Sequence, residues 1–297
     1  IRNEANNAWI QVAVLDQTNA EWQITTGVIQ AKDGDGLLFK TDDGTTRVSI
    51  DDSGNVGVVG ATKTTALSSA AHFDTLGLIV DDNTAYNNVG VGGGIAFRGK
   101  RNSSGTQTVF GAIDVGKESA SNDSYTGSLR FYTNNNSTGI PTKHMNIDAL
   151  GRVTKPNQPA FQVNKNNTNQ DNIAVNTDVQ ITWPNERFDI GGNFASNQFT
   201  APVTGKYQFN LMIRLDQVDI DCNYVLIWVQ TSNQIYRWII HPRFAGDPNY
   251  ISANVSVLAD MDAGDVSFAM FNQGAGAAQT DISGDNVYTW FTGNLIC

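Results

Sequence analysis

Three closely spaced aspartates are the first candidates for a chemical function in this chain. Asp216, Asp219 and Asp221 place three carboxylates in one short segment, and calcium ions bind oxygen ligands of this kind. The segment lacks the glycine and the closing glutamate of a helix-loop-helix calcium loop. Two interpretations follow: a calcium ion held where three copies of the segment meet at an axis, or a solvated acidic loop. We expect no cofactor, and calcium is the one ion that these three aspartates could bind.

The residue types that carry out catalysis are present, but not in catalytic arrangements. His72, His144 and His241 form no His-x-x-x-His pattern and have no cysteine pair beside them, so we predict no zinc site. No Gly-x-Ser-x-Gly sequence marks a nucleophile. With 29 acidic residues, a carboxylate pair for glycoside hydrolysis could be chosen anywhere, and such a choice has no force. We therefore predict no catalytic residues, no metal site and no enzyme activity.

The aspartates lie between segments whose pattern predicts strands. In residues 205–215 the apolar residues recur at every second position from Tyr207 to Leu215, which predicts a strand with one face in a core. The run 224–229 is apolar throughout, which predicts a strand covered on both faces. Further strands are predicted at 160–164, 178–183, 187–194, 197–201, 234–240, 250–259, 265–271 and 287–296. Ten short strands without a helix predict a β-sandwich.

The order of these strands resembles the globular head of complement component 1q and the tumour necrosis factor-like jelly rolls. The segment "FDIGGNFASNQFTAPVTGKYQF" is similar to that family's central motif, with Phe199, Gly205, Tyr207 and Phe209 at its signature positions. "AGDVSF" followed by "VYTWFTGNLI" is similar to the family's two closing strands. The resemblance covers residues 156–297 and implies a ten-strand jelly roll that assembles as a homotrimer. The family's usual collagen-like Gly-x-y stalk is missing, and we expect a β shaft in its place.

A turn motif, Ile-Asp-x-x-Gly-x-Val, occurs at 50–56 and again at 147–153, each time after a similar strand phrase, "LLFKT" or "LRFYT". The Ile ends one strand, the Asp begins the turn, the Gly takes a positive φ and the Val begins the next strand. Repeating such a unit gives a fibrous β stack that is apolar inside and polar outside. The alternative is two unrelated hairpins, because Asp-x-Gly turns are common.

The chain is predicted to have four parts. These are a β shaft segment at 1–60, a connector at 61–75 with a short helix at 64–73, a β module at 76–155 that repeats the shaft turn, and the head at 156–297. The phrases "GGGIAFRGK", "GAIDVGKES", "YTGSLRFYTNNN" and "KHMNIDALGRV" follow one another in this chain. In that order they resemble a segment that recurs in tail-fibre and other structural proteins of bacteriophages, and the resemblance covers residues 35–155. Because residues 1–155 supply few apolar side chains, we expect copies of the chain to pack around an axis. The predicted fold class is all-β, a trimeric β shaft followed by a ten-strand jelly-roll head.

Charge and hydropathy limit the classes of partner. The formal net charge is −10 and Lys and Arg total 19, which argues against a nucleic-acid partner. No apolar run approaches the roughly 20 residues of a membrane span, so we expect no membrane insertion. Cys222 and Cys297 fit neither a disulfide framework nor a zinc site. They form one bond or remain two free thiols.

The function implied by the resemblances is host attachment. We expect an extracellular tail fibre of the virion that binds a host cell-surface polysaccharide or lipopolysaccharide, with upstream tail-fibre or baseplate proteins as its other partners. Two alternatives stay open. The head serves only as the trimerisation module of a fibre, or the chain is a bacterial trimeric surface adhesin.

Strand direction predicts where a ligand would bind. If both chain ends of the jelly roll lie on the shaft side, the loops 216–223, 244–249 and 272–286 lie together at the far tip. The candidate ligand-binding residues in these loops are Asp219, Asp221, Arg243, Phe244, Asp247, Tyr250, Gln279, Asp281 and Asp285. Sugars bind to aromatic faces and to planar polar groups, and this set supplies both. The alternative is a merely solvated tip in which Phe244 and Tyr250 are strand-end core residues.

Overall fold

A computed structural model describes residues 84–135 and 139–297 continuously, together with residues 80 and 82 and seven short strands before them. The chain divides into two compact units, Ile1–Asn83 and Thr84–Cys297. Every regular element in the described residues is a β-strand, which confirms the all-β prediction for them. None of these residues belongs to a helix long and apolar enough to span a membrane. The helix predicted at 64–73 and the connector around it lie outside the described residues.

The first unit contains small antiparallel sheets. Its strands are β1 (Arg2–Asn3), β2 (Ala8–Trp9), β3 (Ala13–Asp16), β4 (Glu21–Ile24), β5 (Leu37–Lys40), β6 (Thr46–Ile50) and β7 (Val56–Val58). β1 pairs with β2, β3 pairs with β4, and β5, β6 and β7 form a three-stranded sheet.

The second unit begins with a single five-stranded sheet, which we call the module. Its strands are β8 (Gly94–Lys100), β9 (Gln107–Lys117), β10 (Gly127–Thr133), β11 (Thr142–Ile147) and β12 (Val153–Thr154). All neighbours are antiparallel and follow chain order, so the module is a meander.

The two copies of the repeated motif have the same pairing in the two units. Leu37 pairs with Ile50 and Phe39 with Val48 in one sheet; Leu129 pairs with Ile147 and Phe131 with Met145 in the other. The register shifts directly after Phe39 and directly after Phe131. The two phrases therefore occupy equivalent positions in two sheets.

The second copy of the turn shows why the motif needs Asp and Gly. Asp148 Oδ1 accepts hydrogen bonds from the backbone N–H groups of Leu150 and Arg152, both at 2.9 Å. Gly151 has a φ of +77°, which favours glycine. The corresponding turn residues 51–55 lie outside the described part of the chain.

Residues 160–295 form a sandwich of two antiparallel sheets, which we call the head. Its strands are β13 (Ala160–Asn164), β14 (Val179–Gln180), β15 (Asn185–Ile190), β16 (Phe194–Ala195), β17 (Gln198–Thr200), β18 (Gly205–Asp216), β19 (Tyr224–Thr231), β20 (Ile235–Ile240), β21 (Tyr250–Met261), β22 (Val266–Gly274), β23 (Asp281–Ile282) and β24 (Trp290–Leu295). One sheet has the order β15-β13-β24-β18-β21 with β23 beside β18, and the other has the order β16-β17-β22-β19-β20 with β14 beside β22. The chain crosses between the two sheets after β13, β14, β15, β17, β18, β20, β21 and β22, which is the connectivity of a jelly roll.

The head has twelve strands in two six-stranded sheets, two more than the ten predicted. The short strand β23 adds a pairing beside β18 that the sequence analysis did not predict. The single strand predicted at 187–194 is wrong, because the chain turns at Gly191 and Gly192, whose φ values are +96° and +66°. These values end β15 and separate it from β16.

The core between the sheets is rich in aromatic side chains. Phe161 lies 5.0 Å from Phe199 and 5.1 Å from Phe291, measured between ring centroids, and Phe209 lies 5.9 Å from Phe291. The inward alternation predicted for β18 is confirmed, since Tyr207, Phe209, Leu211, Ile213 and Leu215 are all buried, whereas Met212, on the other face, is only partly buried. This core fixes the strand ends from which the loops extend.

Both ends of the head lie together. The backbone N–H of Leu295 donates to the carbonyl of Pro159 at 3.0 Å, and that of Lys206 donates to the carbonyl of Cys297 at 2.7 Å. We call this end the base. Because neighbouring strands are antiparallel, the opposite end, which we call the tip, carries the loops 217–223, 241–249 and 275–289.

Candidate functional site

The three tip loops contact one another through hydrogen bonds. The backbone N–H of Gln217 donates to the carbonyl of Asn249 at 3.2 Å, and that of Ile220 donates to Asp247 Oδ1 at 2.9 Å. The N–H groups of Ala277 and Ala278 donate to Asp219 Oδ2 at 2.6 and 2.8 Å. The structure thus brings together the loops that strand counting placed at one end.

Asp219 holds two of these loops from inside. Its side chain is buried, and the whole residue is 4% exposed. Besides the two bonds to Oδ2, its Oδ1 accepts from the N–H of Asp221 at 2.8 Å. Hydrogen bonds from the backbone of Ala278, Asp221 and Ala277 keep the pKa of Asp219 below its ordinary value. Asp219 therefore positions the loop backbone, and both of its oxygens are occupied by the chain itself.

Asp281 and Gln273 are buried beside it. Asp281 accepts from the N–H of Asn172 at 2.6 Å and from Gln217 Nε2 at 2.9 Å. Gln273 donates to the carbonyls of Ala275 and Ala278. Gln273 was not among the predicted site residues, since it stands at the end of a strand and its polarity gives no sign of a role inside a loop.

The remaining acidic candidates also have local roles. Asp247 accepts from Ile220, and Asp285 Oδ1 accepts from the N–H of Val287 at 2.9 Å, which closes the turn before β24. Asp221 and Gln279 are exposed. The nine predicted residues thus separate into buried or turn-forming acids and an exposed group.

The exposed group supplies the surface chemistry of the tip. Phe244 is 47% exposed and Tyr250 is 65% exposed, so neither is the core residue that the alternative interpretation required. Arg243 is exposed, and its Nε donates to Nε2 of His241 at 3.3 Å. Two aromatic rings and a guanidinium group therefore lie at the surface of the tip, where hydrogen bonds join the 217–223 loop to Asp247 and Asn249. Such groups can bind a sugar ring and a hydroxyl, carboxylate or phosphate.

An arginine that the sequence analysis missed lies beside them. Arg214 Nε and Nη2 donate to the two oxygens of Asp216 at 2.8 and 3.3 Å. Its Cζ lies 5.1 Å from the centroid of the Tyr250 ring and 5.7 Å from that of Tyr288. The hydrogen bond that Arg214 donates to Asp216 raises the pKa of Arg214. The signal that could have found it is its place among the outward residues of β18, one strand from Tyr250.

The same contacts bear on the calcium interpretation. Asp216 is paired with Arg214, and both oxygens of Asp219 accept backbone hydrogen bonds. Within the described residues, no three His, Cys, Asp or Glu side chains converge to hold a metal ion. A calcium ion shared between three copies stays a prediction.

The two cysteines are free thiols, with Cys222 buried and Cys297 exposed. Burial raises the pKa of Cys222 to about 11, so it is protonated and unreactive at neutral pH.

Comparisons with known proteins give similar structures but no relatives. No protein-family model matches the chain, and no curated protein matches it. The globular domain of the zebrafish complement 1qA protein is similar over 47% of this chain and 98% of its own, with 15% identity and a TM-score of 0.35. Murine APRIL at pH 8.0 is similar over 47% of this chain and 99% of its own, with 11% identity and a TM-score of 0.35. Likenesses of this size decide neither family nor function.

Proposed function

We propose that this chain is the distal, receptor-binding part of a homotrimeric phage tail fibre, extracellular on the virion, and that its tip loops attach to a polysaccharide or lipopolysaccharide of the host surface. The observation that carries the proposal is the exposed set Arg243, Phe244 and Tyr250. Arg243 and Phe244 lie on a loop that bonds to the neighbouring 217–223 loop through Asp247 and the carbonyl of Asn249, and Tyr250 begins β21 directly after it. Upstream tail-fibre or baseplate proteins would hold the other end of the fibre. The chain would act by binding and not as an enzyme.

The physical argument is pre-organisation. A ligand that orders mobile loops loses part of its binding free energy to that ordering. At this tip the loop backbones are already held by hydrogen bonds that their N–H groups donate to Asp219, Asp247 and Asp281. The rings of Phe244 and Tyr250 can pack on the C–H surface of a sugar, and the Arg243 guanidinium can donate hydrogen bonds to its hydroxyl groups.

A structural role is the second candidate, because the module exposes apolar residues that self-association would cover. In that case the head would only hold copies of the fibre in register, and attachment would occur elsewhere. The same physical features would fit a bacterial trimeric surface adhesin. A coding sequence that lies among phage tail genes would favour the tail fibre, whereas one among chromosomal surface genes would favour the adhesin.

Adsorption competition tests the proposal. Purified full-length protein should block attachment of the phage that carries it, and the triple variant Arg243→Ala, Phe244→Ala, Tyr250→Ala should be at least about a hundredfold weaker as a competitor, since aromatic and arginine side chains dominate binding energies. The matched control is Arg187→Ala, Phe188→Ala, another exposed Arg–Phe pair, on β15. The control should compete like the wild type. Equal competition by the folded triple variant would remove the tip as the binding site.

A further inference from the structure

One face of the module is continuously apolar. Two rows of paired residues cross the sheet, Ile95–Ile113–Phe131–Met145 and Val115–Leu129–Ile147–Val153. Because successive residues of a strand point to opposite faces, Ile113 and Val115 share a face, and both rows lie on it. We call the apolar face the set Ile95, Phe97, Ile113, Val115, Leu129, Phe131, Met145, Ile147 and Val153.

The apolar face is exposed on β8, β9 and β12 and partly buried on β10 and β11. Ile95 and Val115 are each 46% exposed and Phe97 is 54% exposed, whereas Leu129, Phe131, Met145 and Ile147 are partly buried. On the opposite face, Arg130 pairs with Asp114 through bonds of 2.6 and 3.0 Å, and both are partly buried. A sheet normally buries its apolar face against a second layer. The described residues of the second unit place no second layer on this face.

The size of the face indicates an interaction surface. Five strands about 4.8 Å apart and about seven residues long give a face of roughly 400 Å². This is the size of the largest apolar patch on an ordinary monomer, and such patches are often functional. Because the set contains no charged side chain, its occupant must itself be apolar at the contact.

We propose that the occupant is the same face on other copies of this chain, so that the modules of the proposed trimer pack apolar face to apolar face. This inference rests on the trimer stated under the proposed function. A stable interface covers about 800 Å² on each partner, about twice what one module face supplies. The sheet β5–β7 has the same pairing register, and its Phe39, equivalent to Phe131, is half exposed. A copy of this chain offers the same apolar face together with this second exposed ring, which makes it the partner that fits.

Thiol accessibility tests the inference on the full-length protein. In a Cys297→Ser background, which removes the exposed thiol, one variant carries Ile113→Cys on the apolar face. The matched control carries Ala96→Cys, which lies on the adjacent strand and points to the opposite face, where it is exposed. Maleimide labelling of the native proteins is followed by mass spectrometry. We expect the thiol at position 113 to react at least about tenfold more slowly than the thiol at position 96, because a covered position reacts only when the assembly opens.

Light scattering on the same samples completes the test. We expect three times the 32.1 kDa of one chain. Equal labelling rates at the two positions would overturn the inference. Slow labelling at position 113 in a protein with the mass of one chain would also overturn it, because the chain would then cover its own apolar face. If labelling is fast but the adsorption competition succeeds, the inference fails while the proposed function stands. If the thiol at position 113 is protected but the adsorption competition fails, the inference stands while the proposed function fails.

Discussion

Asp219→Asn is the perturbation that most directly tests the organisation of the tip. The carboxylate accepts three backbone N–H groups, two on Oδ2 and one on Oδ1. An asparagine keeps one acceptor oxygen, so at least one buried N–H loses its partner and meets an NH₂ group. Hydrogen bonds to charged groups contribute about 1.5–3 kcal/mol each, and we expect the free energy of unfolding to fall by roughly 2–4 kcal/mol.

Urea unfolding followed by tryptophan fluorescence measures this loss. With an m-value of about 2 kcal/mol/M, the midpoint should fall by roughly 1–2 M. The matched control is Asp221→Asn, which removes an exposed carboxylate two residues away and should leave the midpoint unchanged. Equal midpoints for the two variants would refute the role assigned to Asp219.

The pH dependence of the same difference gives a second reading. Because the pKa of Asp219 is lowered from its ordinary 3.8, its contribution to stability is present above that value and is lost as the pH falls through the folded pKa. The gap in stability between the wild type and Asp219→Asn should therefore narrow below about pH 3.8. A gap that stays constant down to pH 2.5, a value about one unit lower, would contradict the assignment.

Three further outcomes are expected. Gly293→Ala places a Cβ 2.5 Å from Phe161 Cε1 and 2.6 Å from Phe209 Cδ1, so thermal melting should show a loss of about 1–3 kcal/mol, whereas Gly246→Ala, with nothing within 4 Å, should melt like the wild type. Burial lowers the pKa of Lys165 to about 8 from 10.5, so the folded state favours the neutral amine and the free energy of unfolding should rise between pH 8 and 10.5. This rise should disappear in Lys165→Met. A wild-type protein whose stability does not rise over this range would contradict the burial of Lys165. Attachment should hold steady or improve from low salt to about 1 M, where the Debye length is about 3 Å. The reason is that the chain carries a net charge of −10, and salt screens its repulsion from an anionic cell surface. A steep loss of attachment with salt in adsorption assays would indicate charge pairing instead.

The strands of the head could be predicted because their periodicity reflects burial directly. The alternation along β18 is the pattern of a strand with one face in a core, and its apolar residues are buried. Chain direction then placed the tip loops together without any knowledge of side-chain contacts. The break at Gly191 could not be read from apolar pattern, because it depends on a backbone conformation that glycine permits but does not dictate.

The roles of the loop residues could not be predicted from the sequence. A strand residue points in or out by its position, but a loop has no period, so Asp219 and Asp221 looked equivalent. The structure buries one and exposes the other. Likewise, Arg214 looked like an ordinary outward residue of β18, because its contacts with Tyr250 and Tyr288 join three separate segments. The apolar face of the module was not predicted as a face. The sequence showed only that residues 1–155 have few apolar side chains, whereas the structure places nine of them on one side of the module.

The separation of buried and exposed residues at the tip has an evolutionary consequence. The backbone bonds accepted by Asp219, Asp247 and Asp281 do not involve the side chains of Arg243 and Phe244. Substitutions at these two exposed positions should therefore cost little stability, because surface changes away from such bonds usually alter it by less than about 0.5 kcal/mol. Tyr250 differs, because its ring packs against Arg214. The chemistry that the 241–249 loop presents can therefore change while the framework beneath it stays the same.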